Sequence, residues 1–254
     1  MAGVSLVEAL GLDSPQIVSI VGGGGKSSLL FALARGLAGR VVMTTTTRIF
    51  AAQMSLAPEV CRLDDPAWRQ RLDTISSSVL VVGGVEGEHA LGVPRELPAE
   101  MLARPGVDWV VIEADGSRMR PVKAPAAHEP VVPEETGLLV PVAGIDALSG
   151  PIGEVAHRPE RVGAITGLAP HETLTPEALA TLLTSREGGL KDLPGSARAV
   201  VLLNKVESPA QRDAAREVAR CVLRESPVER VAIGALHAGL SAAWEVLDPP
   251  SLRE

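Results

Sequence analysis

Lys26, Ser27, Glu113, Asp115 and Arg48 are the residues of this chain whose types and surroundings suit phosphate chemistry. Lys26 and Ser27 follow four consecutive glycines, Gly22, Gly23, Gly24 and Gly25, in the stretch IVSIVGGGGKSS over 17–28. Glycines let the backbone turn back on itself and aim successive N–H groups into one concave nest. A helix starting directly after them, with Ser28 in its first turn, adds a positive dipole end and unpaired N–H groups. Lys26 would then reach the β- and γ-phosphates of ATP or GTP, and the Ser27 hydroxyl would complete the shell of a Mg²⁺ ion. A glycine-rich turn with an exposed lysine is the alternative. The order strand, glycines, Lys-Ser, helix favours the cradle.

Three further motifs would complete such a site. VDWVVIEADGS, 107–117, is an apolar run ending in acids. On an extended chain Glu113 and Asp115 share one face, where they could anchor the metal and activate water. VMTTTTR, 42–48, places Thr45, Thr46 and Thr47 after a strand, suited to sensing a γ-phosphate, with Arg48 to neutralise its charge. AVVLLNKVE, 199–207, ends in Asn204, Lys205 and Glu207, close to the N-K-x-D pattern that reads guanine. The acid here is one methylene longer, which leaves ATP and GTP both open. A last group, Lys123, His128, Glu129, His157 and Arg158, has the side chains to bind an anionic second substrate or move protons.

Positioning these residues requires strands that stop where the polar residues begin. Apolar runs at 16–21, 40–44, 79–82, 109–113, 138–142, 199–204 and 230–233 read as strands covered on both faces. Helical patterns alternate with them at 26–38, 66–75, 98–104, 159–165, 176–184 and 209–225. Thr175-Pro176-Glu177 gives the fifth of these helices an N-cap hydroxyl, a proline at N1 and an acid in the first turn. The alternation predicts an α/β fold: a doubly wound, mostly parallel sheet of the P-loop NTPase type. The expected organisation is one nucleotide-binding domain over 1–254, with a Pro/Gly-rich middle segment near 116–157 as a small subdomain or insertion.

Composition narrows the classes. Aromatics make up 2% of the chain and tyrosine is absent, so the core must be aliphatic and stacking platforms for single strands are missing. A net charge of −7 without a Lys/Arg run argues further against nucleic acid. Cys61 and Cys221 lie far apart without metal-ligand spacing and read as reduced thiols. No apolar run approaches the ~18 residues of a membrane span and no leader pattern is evident, so a cytoplasmic protein is expected.

The loop departs from G-x-x-x-x-G-K-[ST], because its first glycine position is Ile20. The shorter G-x-x-G-K-S of Gly22 to Ser27 is similar to the loop of Mur-type peptide ligases. More of the chain resembles the YqeC family of selenium-dependent hydroxylase accessory proteins. The resemblance rests on GGGGKSSLLFALA at 22–34, VMTTTTRIF at 42–50, EADGSRMRPVKAPAAHEPVVP at 113–133, HRPE at 157–160 and LLNKVE at 202–207. It implies a nucleotide-binding protein linked to maturation of molybdenum hydroxylases that carry a labile selenium, with a hydroxylase client or another maturation factor as partner. Three activities are compatible with these motifs: Mg²⁺-dependent hydrolysis, phosphoryl transfer to a small acceptor, and nucleotide gating of a chaperone without turnover.

Overall fold

The β-branched runs become the strands of one nine-stranded sheet: β1 (Gln16–Gly22), β2 (Val41–Thr45), β3 (Glu59–Arg62), β4 (Val79–Val82), β5 (Trp109–Glu113), β6 (Thr136–Gly144), β7 (Arg198–Asn204), β8 (Val228–Ile233) and β9 (Glu245–Leu247). The computed structural model describes residues 3–224, 226–239 and 243–249. The strand order is β9-β8-β7-β6-β1-β5-β2-β4-β3, and among the described residues β8–β9 is its one antiparallel pair. Parallel neighbours need crossovers, and the sequence supplies them as helices.

Alternate residues of each strand feed two separate cores, as the period of two requires. On one face, Val18 and Ile20 of β1, Met43 of β2 and Val111 of β5 pack with α1 (Leu6–Ala9), α2 (Lys26–Gly36) and Trp244. On the other, Ile17, Val21, Val42, Val110 and Ile112 meet α3 (Trp68–Thr74) and α4 (Leu97–Leu102). The same core continues beneath α5 (Ile152–Val155), α6 (Pro159–Thr166), α7 (Pro176–Thr184) and α8 (Pro209–Arg224). Each buried Val, Leu or Ile in these layers contributes about 1.5–3 kcal/mol of transfer free energy. The architecture is therefore mixed α/β with a largely parallel central sheet, as expected.

All seven expected strands and six expected helices are present, with ends shifted by a few residues. The last expected helix runs to Arg224; its final expected residue, Glu225, lies outside the described residues. Thr175 caps α7 as anticipated, its hydroxyl accepting from the Ala178 N–H at 3.2 Å. Apart from the buried pair Val122–Lys123, the strands that sequence patterning misses are mostly edge or surface elements. β3 reads Glu-Val-Cys-Arg, with both ends exposed, so it shows no apolar run. An antiparallel ribbon of Arg48–Phe50, His89–Leu91 and Val85–Glu86 is built from short, half-exposed pieces.

Within 116–157, β6 enters the main sheet beside β1, and Val122–Lys123 pairs in parallel with Ala156–His157. Among the described residues no helix is long and apolar enough to cross a membrane. Cys61 and Cys221 are unpaired thiols.

Candidate functional site

β1 delivers the glycine loop to the C-terminal edge of the sheet, between the ends of β5 and β6. The first three glycine N–H groups are bound within the protein. Gly22 donates to Asp115 Oδ2 at 3.1 Å, Gly23 to the Val142 carbonyl at 2.9 Å and Gly24 to the Arg120 carbonyl at 3.0 Å. The loop is thus pinned before the helix starts. The N–H groups of Gly25, Lys26, Ser27 and Ser28, by contrast, have no partner among the described residues, and all four residues line a cavity of about 400 Å³. These are the orphan donors of a helix N-terminus, facing open space.

Lys26 is buried and folds back over the loop. Its Nζ donates to the Gly22 carbonyl at 2.8 Å and lies 3.4 Å from Asp115 Oδ1 and 3.8 Å from Glu113 Oε1. Ser27 Oγ donates to Glu113 Oε2 at 2.7 Å. Glu113 ends β5, where its register partners are Ile20 of β1 and Thr45 of β2. Burial pushes its carboxyl above the ordinary carboxylate range, with Asp115 adding to the rise and Lys26 and Ser27 opposing it. Asp115 Oδ1 is buried without a hydrogen-bond partner. The four side chains predicted at this centre therefore do come together.

Ser27, Glu113 and Asp115 offer hard oxygen donors, the set a Mg²⁺ ion prefers. Asp115 Oδ1, buried and without a hydrogen bond, fits that use. Among the described residues no group of three or more His, Cys, Asp or Glu could hold a metal unaided. A cation here would need water or phosphate oxygens to complete its shell, which is the habit of Mg²⁺.

The threonines brace this centre. Thr45 Oγ1 donates to the Glu113 carbonyl at 2.9 Å and Thr46 Oγ1 to the Val131 carbonyl at 2.7 Å. The Thr47 hydroxyl is buried and uncommitted, while its N–H donates to Thr45 Oγ1 at 3.1 Å. Arg48, the next residue, lines the cavity. Asn204, at the end of β7, is also a brace: its Nδ2 donates to the Gly24 carbonyl at 2.7 Å, and its Oδ1 accepts from the Leu236 N–H at 2.9 Å. Lys205 lines the cavity and pairs with Asp146 at 2.7 Å. Glu207 is exposed, 3.6 Å from His237, and does not line it.

The middle segment contributes a buried ion network. Lys123 Nζ has three acceptors: Asp115 Oδ2 at 3.1 Å, Glu129 Oε2 at 2.7 Å and the Gly116 carbonyl at 2.7 Å. Arg158 reaches the same Glu129 oxygen at 2.7 Å. Burial alone would raise the Glu129 carboxyl, but hydrogen bonds and charge from Lys123 and Arg158 bring it down to about 2. His157 is half-buried, and burial, then Arg158 and Lys123, hold its imidazole below the ordinary range. His128 is exposed. Neither histidine lines the cavity.

Sequence reasoning missed Phe50, Gln53, His89, Arg118 and Met119, all cavity-lining. Phe50 and His89 stack with ring centroids 5.5 Å apart, a contact made by ribbon pairing that no local spacing announces. One available signal was VMTTTTRIF itself, where an aromatic follows the motif in a chain with only two phenylalanines.

Fold and site together define a parallel α/β protein whose glycine-rich helix start faces an acidic strand end. The chain belongs to the YqeC family. The family model described as YqeC protein matches residues 18–160, from within β1 to the start of α6. The chain is also 33% identical over 237 residues to a protein of Escherichia coli (strain K12) described as "Uncharacterized protein YqeC", with 91% of each chain covered.

Proposed function

We propose that this chain binds and hydrolyses a nucleoside triphosphate, ATP or GTP, with Mg²⁺, in the maturation of selenium-dependent molybdenum hydroxylases. The observation that carries the nucleotide reading is the set of four free N–H groups, Gly25 to Ser28, beside Lys26 and two buried carboxylates. Free donors at a helix start favour anions, and the ammonium of Lys26 adds the charge that a triphosphate needs. The hydroxylase link comes from the family resemblance alone.

In this reading the backbone of Gly25 to Ser28 holds the β- and γ-phosphates. Lys26 leaves the Gly22 carbonyl and reaches the γ-phosphate, exchanging a neutral acceptor for a charged one. Mg²⁺, held by Ser27 with Glu113 or Asp115, supplies neutralising charge on the phosphates. Asp115 orients the attacking water and accepts its proton, and Arg48 faces the charge that develops on the phosphoryl group. Asn204 keeps the loop in place and Lys205 packs towards the base.

Phosphoryl transfer to a small acceptor is the second reading, favoured by one feature. The cavity continues past the loop to Phe50 and His89, farther than a hydrolytic water requires. Release of inorganic phosphate from ATP and GTP tests the hydrolytic reading. Wild type is expected to release phosphate only with Mg²⁺, and Lys26→Ala to lose about a hundredfold or more of that rate. Nucleotide binding without release, even with a hydroxylase present, would replace hydrolysis by gating or transfer.

A further inference from the structure

We propose that the Phe50 end of the cavity is a second-ligand subsite, shaped for a small planar aromatic anion that sits beside the nucleotide. The proposal rests on the nucleotide reading above. The cavity has two ends on opposite sides of β1. Lys205 follows β7 on one side, and the Arg48–Phe50 strand follows β2 on the other, with Gly25 to Ser28 between them. A nucleotide with its phosphates on the loop and its base at Lys205 leaves the Phe50 end free.

That end has the chemistry of a ring site. Phe50, one of two phenylalanines in a chain without tyrosine, is 47% exposed and offers ring surface to a ligand. Its ring lies against His89 at 5.5 Å with 28° between the planes, leaving a flat aromatic wall. The Phe50 backbone is fixed by its N–H, which donates to Gln53 Oε1 at 3.1 Å. Met119, 84% exposed, faces the same cavity, and a thioether is a favourable partner for an aromatic ring.

Positive charge also lines the cavity. The Arg48 guanidinium is exposed, and its one ion pair among the described residues is with Glu86, at 3.9 Å. Arg118 lines the same cavity and makes no hydrogen bond or ion pair among the described residues. Arg118 and Met119 also hold φ angles of +49° and +59°, and Lys205 at the far end holds +63°. Three of the five non-glycine residues found with positive φ thus line one cavity, and such backbone strain concentrates where ligands are gripped. A neutral ring would leave the arginines unused, and an aliphatic anion would leave the Phe50 wall unused.

Orotate and 1-naphthoate are suitable probes, with cyclohexanecarboxylate as the non-planar control. Each is titrated by calorimetry into the whole protein holding Mg²⁺ and a non-hydrolysable ATP or GTP analogue. The aromatic anions are expected to bind more tightly than the control. Phe50→Leu should weaken them about five- to tenfold, the value of one stacked ring, and Phe50→Trp should restore them. Arg118→Ala should weaken them similarly, and nucleotide affinity should change less than twofold in all three variants. Aromatic anions that bind no better than the control would overturn the subsite while leaving the nucleotide reading intact. So would a Phe50→Leu protein that loses nucleotide affinity, since the base would then occupy this end. Wild type that takes no nucleotide would remove both.

Discussion

Glu129 shows what single residues contribute away from the phosphates. One of its oxygens takes hydrogen bonds from both Lys123 and Arg158, and Lys123 in turn holds Asp115, which holds the Gly22 N–H. Removing one member of a buried ion group leaves uncompensated charge, so Glu129→Gln should destabilise the protein by about 3 kcal/mol at pH 7. The sign with pH follows from linkage. The folded carboxyl sits at about 2, below its unfolded value, so its contribution is present above the unfolded value and is lost as pH falls towards 2. Urea unfolding from pH 7 down to pH 2 should show the gap between wild type and variant closing; a gap independent of pH would contradict this account. Lys26, Ser27 and Glu113 were legible in the sequence because the first two open a helix after the glycines and the third ends an apolar strand. The Lys123–Asp115 pair was not, because a turn at 118–119 and irregular chain separate the residues, and no regular spacing announces their contact.

Among the elements, the loop between β1 and α2 depends on glycine for space as well as conformation. A Cβ on Gly24, at φ +71°, would lie 2.1 Å from the Gly144 nitrogen, and one on Gly25 would lie 2.3 Å from Asn204 Nδ2. The end of β7 therefore packs directly on the loop. Asn204→Ala would leave the Gly24 carbonyl and the Leu236 N–H without partners, costing about 1–3 kcal/mol, and should weaken nucleotide binding about tenfold. Denaturation and nucleotide titration of the variant check both; a protein unchanged in stability would show that Asn204 does not brace the loop. The Asn-Lys pattern located this contact in the sequence but pointed its amide at a base. The direction is set by sheet order, which places β7 one strand from β6 and its end against the loop. Sheet order is a long-range property. Runs covered on both faces identified the central strands, whereas β3, β9 and the ribbon lack that pattern because one side of each meets solvent.

At the scale of the molecule, two aliphatic cores grip a parallel sheet, and the buried charges other than Arg40 gather beyond the C-terminal ends of β1 and β5. That edge is where open α/β sheets place ligands. Lys26, Lys123 and Arg158 face Glu113, Asp115 and Glu129, three positive groups against three negative. Such a cluster is costly to bury unless its members pair and hydrogen-bond well, and the free N–H groups beside it favour an anion. The central claim is that this edge binds a nucleoside triphosphate through the glycine loop. Equilibrium titration of labelled ATP and GTP, with and without Mg²⁺, against wild type and Lys26→Ala tests it most directly. The account predicts saturable, Mg²⁺-strengthened binding of at least one nucleotide to wild type and at least a tenfold loss in the variant, the roughly 1.4 kcal/mol of one charged contact. Wild type that binds neither nucleotide, or a variant that binds as well as wild type, would contradict it.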